Sequence, residues 1–181
     1  MLPIGPLMIE HRLIERMIRL LGAESERIRG GAAPEQGFLA GALDFIRAYA
    51  DRCHHGKEED ILFRDLGRKA LSPADAAMMN DLTREHIWAR GRVRALADAA
   101  DAWRSGSGGA AERVMKALEE LSGFYPGHIR KEDKEFFPAA MSYLAAEERE
   151  RMLAEMAEFD SKLIHEHYRA VVDRFEPPKD K

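Results

Sequence analysis

Two identical pairs of residues carry the chemistry of this sequence. His54 and Glu58 stand four apart, and so do His128 and Glu132. On a helix, that spacing sets an imidazole and a carboxylate on one face, about 5–6 Å apart at Cβ. The imidazole can ligate one metal ion, and the carboxylate one turn away can reach across to a second. His11 and His86 offer two further nitrogens. Four nitrogens with two carboxylates form a mixed, medium-hard donor set. It suits two ions of iron, manganese or zinc and suits copper(I) or calcium poorly. Cys53 is the single cysteine, which excludes a thiolate-rich site and any intrachain disulfide.

Helices must bring those residues together. Apolar residues recur at steps of three and four almost throughout, and no segment alternates as a strand does. Breakers divide the chain at Gly30-Gly31, at Ser72-Pro73 and at Ser105-Gly-Ser-Gly-Gly109. Ser72 suits an N-cap, with Pro73 at the first helical position and Asp75 in the first turn. The pattern predicts helices from about Pro6 to Arg29, Pro34 to Lys69, Pro73 to Arg104, Ala110 to Tyr143 and Ala146 to Phe175. Short connections between long helices make neighbours antiparallel. The expected fold is all-α, one domain over residues 1–181. It consists of an up-down four-helix bundle over about 6–143, an additional C-terminal helix over about 146–175 and a polar tail over 176–181.

Every bundle helix places a histidine on its apolar stripe. His11 falls in line with Leu7, Ile14 and Ile18, and His86 with Leu82, Ala89 and Val93. His54 and Glu58 follow Leu39, Ile46 and Ala50, while His128 and Glu132 follow Leu118, Leu121 and Tyr125. A lone histidine on such a stripe is usually a hydrogen-bonded core residue. One on each of four helices is not the pattern of independent core histidines. Turns near residues 32, 71 and 106 set His11 level with His54, His54 with His86, and His86 with His128. The mismatches are about one turn or less at roughly 1.5 Å per residue. A carboxylate buried in that layer costs on the order of several kcal/mol unless a cation compensates it.

As a set, these residues resemble the hemerythrin-like proteins with a His-His-Glu cation-binding domain. The resemblance rests on Glu10-His11, on the run Cys53-His-His-Gly-Lys-Glu-Glu-Asp-Ile-Leu-Phe63, on Glu85-His86 and on His128 through Glu132 to Pro138. It covers roughly Pro3 to Pro138. It implies a non-haem di-iron centre cycling between Fe2+ and Fe3+, with two bridging carboxylates and an oxo or hydroxo bridge. Manganese or zinc are the substitutes. It further implies a small partner, O2, NO or peroxide, which the protein binds, senses or reacts with, or else a role in handling iron. That is more a metal-binding or sensing protein than an enzyme.

Two departures from the invertebrate oxygen carriers stand out. Arg90 occupies the position four after His86, where they have a histidine, and Glu132 replaces an aspartate bridge. One iron then lacks a nitrogen, which argues against reversible oxygen carriage. By likeness to relatives with a similar tail, His165 is the expected replacement. His167 flanks the same stripe of Met156, Phe159, Leu163, Ile164, Tyr168 and Val171.

His55 and Glu59 repeat the four-residue spacing, about 100° round the helix from His54 and Glu58. The family ligand is the first residue of each doublet, so His54 and Glu58 are the expected ligands and His55 is expected to be dispensable. Glu10 and Glu59 are candidates to hold ligands from behind. Pro126-Gly127 is expected to kink or bulge the fourth helix just before His128.

Other functions compete. A ferritin-like carboxylate oxidase or peroxidase uses Glu-x-x-His pairs, and no histidine here has a glutamate three residues before it. A metal-free helical interaction module would leave Glu58 and Glu132 buried without partners. With 32 acidic and 28 basic residues, the chain carries no electrostatic footprint for nucleic acid or an anionic membrane. No apolar run approaches the roughly 18 residues of a membrane span. The expected setting is the cytoplasm.

Overall fold

The computed structural model describes residues 2–161 and 164–176. Leu163 of the predicted fifth stripe and the polar tail beyond Glu176 lie outside the described residues. Four helical rods form the bundle. The first is α1, Ile4–Arg29. The second starts as α2, Gln36–Phe45, and passes through two π-helical stretches, Ile46–His55 and Glu58–Phe63, into the short α3, Arg64–Leu66. The third is α4, Pro73–Arg104. The fourth runs from α5, Ala110–Lys131, through a π-helical turn, Glu132–Phe136, to α6, Phe137–Ala140, and a 3₁₀ turn, Met141–Tyr143. No strand occurs among the described residues. α1 packs on α5, α5 on α4 and α4 on the second rod, the neighbour order of an up-down bundle.

The rods end where the sequence supplies breakers. Gly31 follows α1 with φ of 93° and Gly109 precedes α5 with φ of 70°, values that a Cβ would strain. Ser72 caps α4 by accepting the Asp75 N–H at 3.1 Å, with Pro73 in the first turn. Glu35 caps α2, its carboxylate accepting the N–H groups of Gly37 and Phe38. α5 continues as α-helix past Pro126, and the change to π-helical hydrogen bonding comes later, at Glu132.

The single helix expected over 146–175 is two, α7 at Ala146–Phe159 and α8 at Ile164–Phe175. α7 stops where Asp160 turns its carboxylate onto the Lys57 ammonium, at 2.6 and 2.5 Å. Met152 and Met156 of α7 are buried against one end of the bundle, Tyr168 and Val172 of α8 against the other.

That division reflects a core in two parts. Leu13, Phe45, Leu96 and Leu121 belong to one apolar cluster, and Leu7, Leu62, Leu82 and Phe137 to the other. At the junction, each rod contributes polar residues. His11, His54, His55, Glu58, His86, His128 and Glu132 form this layer, none more than 3% exposed.

Candidate metal centre

Adjacent residues on an α-helix point about 100° apart, which would send His54 and His55 in different directions. The second rod avoids this by closing its backbone hydrogen bonds over five residues. The Gly56 N–H bonds the Asp51 carbonyl, and the Arg64 N–H bonds the Glu59 carbonyl. The wider turn rotates less per residue, and both histidines are buried in the bundle. The same device recurs on the fourth rod, where the Phe137 N–H bonds the Glu132 carbonyl. Each π-helical departure thus lies at a His-x-x-x-Glu pair.

The layer divides into two halves. Donor atoms of His11, His54, Glu58 and Glu132 lie within 4.8 Å of one another, and so do those of His55, His86 and His128. Both carboxylates reach into both halves. Glu132 sets one oxygen 3.2 Å from His11 Nε2 and the other 3.2 Å from His128 Nε2 and 3.6 Å from His86 Nε2. Glu58 sets Oε1 3.5 Å from His54 Nε2 and Oε2 3.4 Å from His86 Nε2. Yet none of these nitrogens or oxygens has a hydrogen-bond partner. Ligand bonds of about 2.1 Å put neighbouring donors on one ion about 3 Å apart. The observed spacings are close to that value. The residues therefore fit metal cations, with Glu58 and Glu132 reaching toward both groups of imidazoles.

Behind the layer, every imidazole Nδ1 meets a carboxylate. His11 donates to Asp133 at 2.7 Å, His54 to Glu10 at 2.8 Å, His86 to Glu59 at 2.7 Å and His128 to Glu85 at 2.8 Å. His55 faces Asp51 at the longer 3.4 Å. Each carboxylate is in turn held by a cation. Arg12 binds Asp133, Lys57 binds Glu10 and Lys131 binds Glu85. Arg90 binds both Asp51 at 2.7 Å and Glu59 at 2.9 Å. Such partners fix each ring with its Nε2 lone pair turned inward and raise its basicity.

The charge distribution shows what the metal-free layer must do instead. Burial disfavours a charged His11, but Asp133 and Glu132 outweigh it and raise its pKa to about 9. Burial, with the charge on His11 nearby, pushes His54 down to about 4. Burial and the neighbouring imidazoles hold His55 well below its ordinary value. The carboxylates split. Burial and the charge of Glu132 push Glu58 well above the usual range. Glu132 is lowered well below it against burial, because His128 and His11 face it. The shifts of His11 and Glu58 both favour a bound proton within the layer.

Of the residues expected from sequence, His11, His54, Glu58, His86, His128 and Glu132 meet in this layer. His165 is not brought there. Its Nδ1 contacts the Tyr49 hydroxyl at 2.9 Å, and its Nε2 faces Asp160 at 3.2 Å and Glu10 at 3.6 Å. The break at Asp160 seats α8 outside the Glu10–Lys57 pair, one residue removed from His54. His167 is exposed. The imidazole that sequence reasoning set aside, His55, joins instead, while its partner Glu59 stays behind His86. The signal the sequence carried for His55 was its own four-residue spacing to Glu59, a repeat of the His54 and Glu58 pair. Cys53 directs its thiol to Asp160 at 3.3 Å, and burial pushes its pKa up to about 12, which disfavours the thiolate.

No helix among the described residues is long and apolar enough to cross a membrane. No curated protein and no solved structure matches the chain. The hemerythrin HHE cation-binding domain matches it over residues 2–140, and again over 82–176. With that coverage and a buried His/Glu layer at the bundle's midpoint, the chain belongs to the family of hemerythrin HHE cation-binding domains.

Proposed function

We propose that this protein holds two iron ions in its polar layer and uses them to bind, sense or react with O2, NO or peroxide, or to handle iron itself. One observation carries the reading. Nine buried polar atoms without partners, five imidazole Nε2 and four carboxylate oxygens, converge from all four rods. Leaving such atoms unpaired is costly unless a cation satisfies them. Five nitrogens with two shared carboxylates and no thiolate suit iron, with manganese or zinc as substitutes. His11 and His54 would serve one ion, and His55, His86 and His128 the other. The donor-poorer half, with two imidazoles, has more room for an exogenous ligand.

When bound, the ion pair supplies redox change and open coordination positions. The chain's own contribution is orientation and exclusion of water. The carboxylates behind each Nδ1 hold the rings. Three phenylalanines wall the layer. Phe137 stacks on His11 at 5.7 Å, Phe63 on His86 at 6.0 Å and Phe124 on His128 at 5.3 Å between ring centroids.

The test is metal analysis with an optical spectrum. Protein from iron-fed cells should contain two irons per chain and absorb in the near-ultraviolet. A colourless, metal-free product, equally heat-stable with and without chelator, would overturn the proposal. Stopped-flow mixing of the reduced protein with O2 then separates roles. A stable adduct supports binding, whereas prompt oxidation with release of peroxide or water supports chemistry.

A further inference from the structure

On the outer side of His55, a cavity of about 250 Å³ opens between the second rod and α4. His55 and Tyr125 line it, and Arg47, Arg90 and Arg94 stand around it. Arg90 is engaged by Asp51 and Glu59. Arg47 and Arg94, one from each rod, are exposed, and neither pairs with a carboxylate among the described residues. Tyr125 is only 2% exposed, and its hydroxyl has no hydrogen-bond partner among the described residues. Asp51 and Glu59 set two negative charges against three arginines, so one positive charge is left in excess. Ile46 and Val93 supply apolar wall between these polar groups.

We infer that this pocket binds a small monoanion with two acceptor oxygens, a carboxylate or planar oxyanion, against the His55 side of the metal layer. Guanidinium groups grip such anions through parallel hydrogen bonds. The Tyr125 hydroxyl supplies a further donor, and a single negative charge balances the local excess. The volume falls below that of ordinary small-molecule sites, which limits the occupant to a few heavy atoms. A neutral diatomic needs neither arginine nor the hydroxyl, so the pocket adds a ligand class to the proposed function. It rests on the metal reading only for what lies behind the His55 ring.

Sodium formate is the probe. It is titrated into zinc-loaded protein while the arginine Nε–Hε resonances are followed by NMR, with sodium chloride and sodium sulfate at matched ionic strength in parallel. Saturable shifts with formate are expected. The double variant Arg47→Gln, Arg94→Gln should weaken formate by about tenfold, with zinc content and unfolding temperature unchanged. Shifts that never saturate, that chloride reproduces, or that survive the double variant would overturn the pocket, and so would tighter binding of sulfate. The same titration on zinc-exposed samples separates the two readings. Saturable formate binding without zinc uptake supports the pocket and contradicts the dinuclear site. Two zinc ions without saturable formate binding overturns the pocket alone.

Discussion

His55 lies flat against His86, with ring centroids 3.9 Å apart and planes 12° from parallel. Their Nδ1 atoms face Asp51 and Glu59, and a single guanidinium, that of Arg90, binds both carboxylates. The arginine that stands where oxygen carriers have a ligand thus braces two rings instead of contributing one. The imidazole beside it, His55, comes from the neighbouring rod and lies in the same group as His86 and His128.

Substitution of His55 distinguishes this arrangement from a ligand on α8. His55→Ala should lower metal affinity on its half by roughly 100-fold or more, beyond the 10–100-fold of an outer partner. His165→Ala should keep both ions. Metal analysis after dialysis against a graded chelator series measures the difference. Loss in His165→Ala with retention in His55→Ala would reverse the assignment.

Outer carboxylates should matter less than donors but measurably. Glu85→Gln and Glu59→Gln are each expected to cost about 10–100-fold in affinity. Glu59→Gln should be the larger loss, since it weakens the hold on His86 and leaves Arg90 bound to Asp51 alone. Competition with a coloured chelator reads both.

The two bridging glutamates should behave differently once metal is removed. Glu58 is pushed well above the carboxylate range, so its metal-free form is neutral and Glu58→Gln should be nearly silent. Glu132 is held ionised by His128 and His11, so Glu132→Gln strands buried positive charge. A loss of about 3–5 kcal/mol is expected there. Urea unfolding in excess chelator compares them, while both variants should lose metal.

The raised pKa of His11 sets a pH window for the metal-free protein. Its contribution to stability is present below pH 6.5 and lost as pH rises through about 9. Over the same interval the proton no longer competes with metal, so apparent metal affinity should climb. Urea midpoints and zinc association constants measured between these limits should move in opposite directions. Parallel movement would exclude His11 as the controlling group.

The fold was largely legible from punctuation. Gly30-Gly31, Ser72-Pro73 and Ser105 to Gly109 mark the ends of α1, α4 and the start of α5 within a few residues. The layer was legible from axial counting, because rise per residue barely depends on small changes in winding. Winding itself was not legible. A constant angle per residue did not show that His54 and His55 are both buried in the layer, and periodicity carried one helix past Asp160, whose side chain binds the buried Lys57. Both misses arise from tertiary partners that local periodicity does not contain.

The backbone that closes over five residues at Asp51–Gly56 has a genetic consequence. A frame-preserving loss of one codon between Ile46 and Cys53 would let the second rod rewind to ordinary α pitch. Every residue upstream would keep its place, and no ligand would be mutated. His54 and His55 could then no longer both face inward. Whether both histidines reach the polar layer is therefore set by the length of the chain through one turn, a quantity that insertions and deletions change and that substitutions leave alone.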